Sequence, residues 1–167
     1  TGNENTASGF YTLFNNAGEG NTAFGSQALY FNDAGSYNTA VGLYSLNRNT
    51  IGRFNVALGY NAGGSNTSGN NNTALGNCAG ISNTTGSNNT YVGFGANSSP
   101  QKPGLSNTTA IGAGAQVTAS NKVRLGDVTV DVIEGQVAYS YPSDGRFKNN
   151  VTDEIKGLDF IKRLRPV

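Results

Sequence analysis

Apolar and polar positions along this chain recur with a period close to seventeen residues. Coils beginning at positions 5, 21, 38, 55, 72, 89 and 108 are separated by 16, 17, 17, 17, 17 and 19 residues. The fifth position of each coil is glycine: Gly9, Gly25, Gly42, Gly59, Gly76, Gly93 and Gly112. Two residues earlier stand Ala7, Ala23, Ala40, Ala57, Ala74, Tyr91 and Ala110, and three residues after each glycine stand Thr12, Ala28, Ser45, Ala62, Ala79, Ala96 and Ala115. A disordered, Gly- and Asn-rich linker has no need of the same residue at the same offset, so the strict period indicates a stacked repeat fold.

The segment Asn72–Gly76, Asn-Thr-Ala-Leu-Gly, reads as a strand of about five residues. Alternation puts Ala74 and Gly76 on one face and Thr73 and Leu75 on the other, so one face is small and lets neighbouring backbones approach closely. The second half of a coil carries another glycine column, Gly35, Gly52, Gly69 and Gly86, which fits a tight turn with positive φ. Two short strands and two turns per coil predict an all-β parallel solenoid, or β-roll, of about seven coils. Asparagines at the coil starts (Asn5, Asn21, Asn38, Asn55, Asn72 and Asn89) then stack on one another and are expected to form hydrogen-bonded ladders.

Such a coil is too thin to enclose Phe10, Leu43, Tyr60 and Phe94, with Tyr11 and Tyr44 beside them. These side chains need a second surface, which argues for several rolls packed around an axis. Beyond the repeats, alternation over 127–133 predicts a strand, 136–141 a further one, and Ile155, Leu158, Ile161 and Leu164 a helix over 152–164 that Thr152 or Asp153 caps. Six of the eleven Lys and Arg residues fall in 143–167, which reads as a solvated helix face.

Composition narrows the functional classes. The net charge is +1 with 13% charged residues, which gives no electrostatic case for nucleic acid. The chain has no histidine, and so lacks the commonest general base and metal ligand. Its one cysteine, Cys78, reads as a small core residue. Calcium-binding rolls place Asp at fixed turn positions, but only Glu4, Glu19, Asp33, Asp127, Asp131 and Glu134 precede position 143. No cofactor or metal is expected. No run approaches the ~20 apolar residues of a membrane span, and no signal-peptide pattern is present. With a start inside a repeat, the chain reads as a segment of something longer.

The Asn-Thr-Ala-x-Gly pattern over roughly residues 3–126 resembles the left-handed parallel β-roll of trimeric autotransporter adhesin heads. Longer stretches, such as residues 72–90, look like repeats of phage tail-fibre and related bacterial surface proteins. Residues 121–167 resemble the junction between a fibre and the C-terminal intramolecular chaperone of tail-spike and endosialidase type, also called the peptidase S74 family. The resemblance implies a homotrimer and three parts: a roll over 1–126, a strand connector over 127–142 and the start of the chaperone over 143–167.

In that family the chaperone templates trimer folding and then cuts itself off before a serine, assisted by a lysine. Here Ser143 and Lys148 match that pair, and the bond would be Pro142–Ser143. A chain ending at Val167 carries only the start of the chaperone, so cleavage is expected in a longer chain and not in this one. The implied function is a structural and receptor-binding segment of a trimeric tail fibre, from a phage or a phage-like contractile injection system, at the virion tail or cell surface. A bacterial surface trimeric adhesin is the alternative. Its implied partners are itself, a host-cell receptor such as a glycan, and other fibre or baseplate proteins. Tyr30, Phe31, Tyr37 and Phe54 are candidates for stacking on sugars or for packing between chains. The column Thr6, Thr22, Thr39, Thr73, Thr90 and Thr109 raises an ice- or mineral-binding face, but it supplies one Thr per coil and Val56 interrupts it.

Overall fold

The computed structural model describes residues 2–134, which are all-β with no helix. They form a parallel solenoid within a compact unit, Thr1–Ile133. Each coil contributes one strand of three residues to a single parallel sheet. These are β1 (Thr6–Ser8), β2 (Thr22–Phe24), β3 (Thr39–Val41), β4 (Val56–Leu58), β5 (Thr73–Leu75), β6 (Thr90–Val92), β8 (Thr109–Ile111) and β10 (Val123–Leu125). Two dipeptides, β7 (Asn97–Ser98) and β9 (Gln116–Val117), form a second parallel pair. Sheet order follows chain order, and the register matches the repeat, with Thr73 opposite Thr90 and Leu75 opposite Val92.

Three details differ from the sequence reading. The strands are three residues long, not five, because left-handed residues bracket them. Asn71 (φ 55°) precedes β5 and Gly76 (φ 130°) follows it, and neither conformation can continue a strand. A second strand occurs only where β7 meets β9; in the other described coils the second half is a stack of turns joined by backbone bonds such as Thr67 N to the Thr84 carbonyl at 2.7 Å. An eighth coil, β10, pairs Val123 with Thr109.

The predicted strand over 127–133 does not form. The Thr129 backbone N–H and hydroxyl both donate to Asp127 Oδ1, at 2.8 and 2.7 Å, and close an Asx turn in its place. Those bonds hold the Asp127 carboxyl below its ordinary pKa. The predicted strand at 136–141 and helix at 152–164 lie outside the described residues.

The interior is built from small apolar groups and amides. Ala23, Ala40, Ala57, Ala74 and Ala110 point inward from the sheet, with Ala28, Ala62, Ala79, Ala96 and Ala115 across from them, all buried. Leu29 and Leu46 fill the space between, and Tyr91 takes over that role further along. Burial pushes the Tyr91 phenol pKa up, and its bond to Thr108 partly offsets this.

The remaining interior is two asparagine ladders. In the coil-start column, Oδ1 of each Asn accepts from the backbone N–H of the next: Asn38 to Asn55 at 2.9 Å, Asn55 to Asn72 at 2.9 Å and Asn72 to Asn89 at 3.0 Å. A second column, Asn16, Asn32, Asn49 and Asn66, links side chain to side chain, with Asn49 Nδ2 donating to Asn32 Oδ1 at 2.8 Å and Asn66 Nδ2 to Asn49 Oδ1 at 2.7 Å. The two ladders meet on shared carbonyls: Gly52 O accepts from Asn38 at 2.8 Å and Asn49 at 2.9 Å, and Gly69 O from Asn55 at 2.8 Å and Asn66 at 3.0 Å. Buried amides are tolerable here because nearly every donor and acceptor is paired.

The second glycine column differs from expectation, while the first allows the expected close approach of backbones and also supplies the left-handed turn. Gly35, Gly52, Gly69 and Gly86 are not at positive φ. They are glycine because a Cβ on Gly52 would stand 2.7 Å from Asn66 Nδ2 and collide with Asn49 Oδ1. The column after each strand does need a left-handed backbone: Gly59 has φ 134°, and a Cβ there would lie 2.6 Å from the Gly76 carbonyl oxygen.

Candidate interaction surface

The outward face of the sheet follows from the strand alternation. With Ala pointing in, Phe24, Leu58, Leu75, Ile111 and Leu125 point out and remain exposed, and they stack coil on coil along the sheet. Beside this stripe stand Phe10, Leu43, Tyr60 and Phe94, exposed in the next column, while Tyr11 is exposed and Tyr44 half-buried. Leu58 is 53% exposed and Phe94 67%, so these side chains face outward and are not flanks of the core. A run of stacked apolar side chains this long is unusual on a surface that stays in water.

The four aromatic candidates fall into two groups. Tyr30 and Phe31 pack edge to face with centroids 4.4 Å apart, and Tyr30 stacks on Phe14 at 5.4 Å with an interplanar angle of 6°. Tyr11 closes this cluster, 4.9 Å from Phe14. Tyr37 and Phe54 form a separate stack at 5.2 Å and 6°; among the described residues no ring contact joins the two groups. Phe14 escaped the sequence reading, although it lies one coil before Tyr30 in the same column and that spacing was available.

Tyr37 and Phe54 sit on left-handed backbone, with φ 58° and 57°, a conformation that disfavours bulky residues. Neighbouring coils hold them there: Tyr37 N donates to the Glu19 carbonyl at 2.9 Å and Phe54 N to the Ser36 carbonyl at 3.1 Å. The Tyr37 hydroxyl donates to Glu19 Oε1 at 2.8 Å. That bond, and then the Glu19 charge, raise the Tyr37 pKa above the ordinary phenol value.

An open groove of about 310 Å³ lies beside Tyr44, lined by Asn47, Arg48, Asn61, Gly64 and Ser65. Cys78 is half-buried at a left-handed turn (φ 56°), not in the core as expected. Among the described residues no group of three or more Cys, Asp or Glu converges as a metal site would require, and no helix is long and apolar enough to cross a membrane. Ser143 and Lys148 lie outside the described residues.

Comparison of the chain with protein-family models, with curated proteins and with solved structures returned no match.

Proposed function

We propose that this chain is a structural segment of a homotrimeric attachment fibre, from a phage tail or a phage-like injection system, in which three solenoids pack through the outward apolar stripe. The observation that carries the reading is the stripe itself. Phe24, Leu58, Leu75, Ile111 and Leu125 are aligned by the register and exposed in the single chain. Covering such a column on three chains removes apolar area from water at about 25 cal/mol per Å², and a closed ring repeats one interface without leaving an end that grows. The Asn-laddered interior supports a structural role, since it makes a stiff rod with no enclosed catalytic cavity among the described residues.

The resemblance of residues 121–167 to a fibre–chaperone junction adds the maturation step: in a longer chain, Ser143 with Lys148 cleaves Pro142–Ser143. The Tyr30–Phe31 cluster and the Tyr37–Phe54 stack are the surfaces for a host-cell receptor such as a glycan, because flat rings such as the exposed Phe31, Tyr37 and Phe54 stack on sugar faces. A bacterial trimeric adhesin shares this reading and differs only in its anchor.

Native mass of the purified chain tests the proposal. A mass near three times 17.3 kDa is the expected result. A folded monomer at micromolar concentration would overturn it. Leu58→Asp, placed in the centre of the stripe, is expected to convert the trimer to monomer.

A further inference from the structure

The second asparagine ladder has one break, and it coincides with a change in what fills the core. From Asn16 to Asn66 each Oδ1 accepts from the Nδ2 of the next coil: Asn32 to Asn16 at 2.6 Å, Asn49 to Asn32 at 2.8 Å and Asn66 to Asn49 at 2.7 Å. Asn83 does not continue the series. Its Nδ2 donates to Gly86 O at 2.9 Å and its Oδ1 accepts from Gly86 N at 3.1 Å. Asn66 Oδ1 therefore has no partner among the described residues, although Asn66 is only 2% exposed. An unpaired buried amide oxygen costs roughly 1–3 kcal/mol.

At the same level the leucine column stops. Gly63 and Gly80 stand where Leu29 and Leu46 would be repeated, and the Tyr91 ring arrives one coil later, so that a Cβ on Gly80 would lie 2.8 Å from Tyr91 Cδ2. Between Leu46 and Tyr91 remains a cavity of about 10 Å³, lined on its polar side by Asn55, Asn66, Asn72 and Asn83. That is the space of a single water molecule, and a buried water needs two to four polar partners. One amide hydrogen of Asn72 and one of Asn83 are not used by their bonds to the Gly86 carbonyl.

We infer that this cavity is an internal hydration site holding one water. The water donates to Asn66 Oδ1 and accepts from the amide of Asn83 or Asn72. It relays the ladder across the junction where the core filler changes from leucine to tyrosine. Glycine at 63 and 80 leaves this space open, since a side chain at either would crowd Leu46 or Tyr91.

Two measurements on the intact chain test this. A high-resolution crystal structure is expected to show one density peak within hydrogen-bond distance of Asn66 Oδ1, enclosed by Leu46, Ala74 and Tyr91. Water ¹⁷O relaxation dispersion is expected to count one long-lived internal water that is lost in Ala74→Val, where two added methyl groups occupy the space. Circular dichroism checks that the variant folds. An empty cavity in the crystal would overturn the inference, as would an Asn83 amide turned directly onto Asn66 Oδ1. So would a dispersion signal unchanged in a folded Ala74→Val.

Discussion

In the coils beginning at Asn38 and Asn55, the second half of each turn is joined to its neighbour by single backbone bonds, such as Thr50 N to the Thr67 carbonyl at 3.0 Å, and is reinforced by side-chain amides inside the coil. In the coils beginning at Asn89 and Thr108 it is held by backbone pairing of β7 with β9, with Val117 fully buried beneath. The second Asn column ends at Asn83, and seventeen residues later the chain has Pro100, which carries no amide. The first column ends nearby, where the Thr108 hydroxyl takes the place of an amide and donates to Asn89 Oδ1 at 2.8 Å. Both regions face the same requirement: backbone groups in stacked turns must be paired away from water. One meets it with turn-to-turn backbone bonds and polar side chains inside the coil. The other meets it with a strand pair over an apolar residue, in the longest coil of the repeat.

The largest effect is expected where the two regions are alike. Gly59→Ala places a Cβ against the Gly76 carbonyl at φ 134° and should cost at least about 3 kcal/mol by denaturant unfolding. A loss below about 1 kcal/mol would mean the coils are not in contact at this column.

Next come substitutions that separate the regions. Asn55→Ala removes bonds to Gly69 O and Asn38 Oδ1 and strands the Asn72 N–H, at about 2–4 kcal/mol. Asn55→Leu, which restores volume without the amide, should be no milder. Val117→Ala deletes only buried carbon and should cost about 2 kcal/mol. If Asn55→Leu proved harmless, the laddered region would be held by volume, as the β7–β9 region is.

The ladder break grades the first region internally. Asn49 takes part in three side-chain bonds across the ladder and to Gly52, whereas Asn83 makes its two only to Gly86. Asn83→Ala should therefore cost about 1 kcal/mol less than Asn49→Ala; equal losses would argue against a break.

The smallest effect is spectroscopic. The bond from Tyr37 to Glu19 favours the protonated phenol, so Tyr37 should ionise above the ordinary tyrosine value. Its contribution to stability is then fully present below about pH 10, the unfolded tyrosine value, and is lost as pH rises through the higher folded pKa. Ultraviolet titration of the protein against Tyr37→Phe isolates this group, and Glu19→Gln should return its midpoint toward the ordinary value.

Much of this architecture was legible because a solenoid repeats one local solution. The glycine, alanine and first asparagine columns could be read from offsets alone, and the structure stacks them in that register. The second asparagine column was equally periodic, but its meaning depends on a carbonyl shared with the first, a contact between residues 14 apart that no local pattern displays. Strand length was misread because residue type places Asn72 and Gly76 inside the strand, yet contacts with neighbouring coils hold Asn71 and Gly76 left-handed and leave only Thr73–Leu75 extended. The alternation at 127–133 was overridden by the Asp127 carboxylate capturing Thr129.

The sequence by itself determined the period, the residue that stacks on each residue, and the small inward face, since these follow from which side chains recur at a fixed offset. The tertiary structure alone decided which glycines bend the chain and which make room for amides. It alone divided the aromatic candidates into two groups, and it alone interrupted the second ladder at Asn66. Each of these depends on distances between neighbouring coils, and the order of residues along one coil carries no record of those distances.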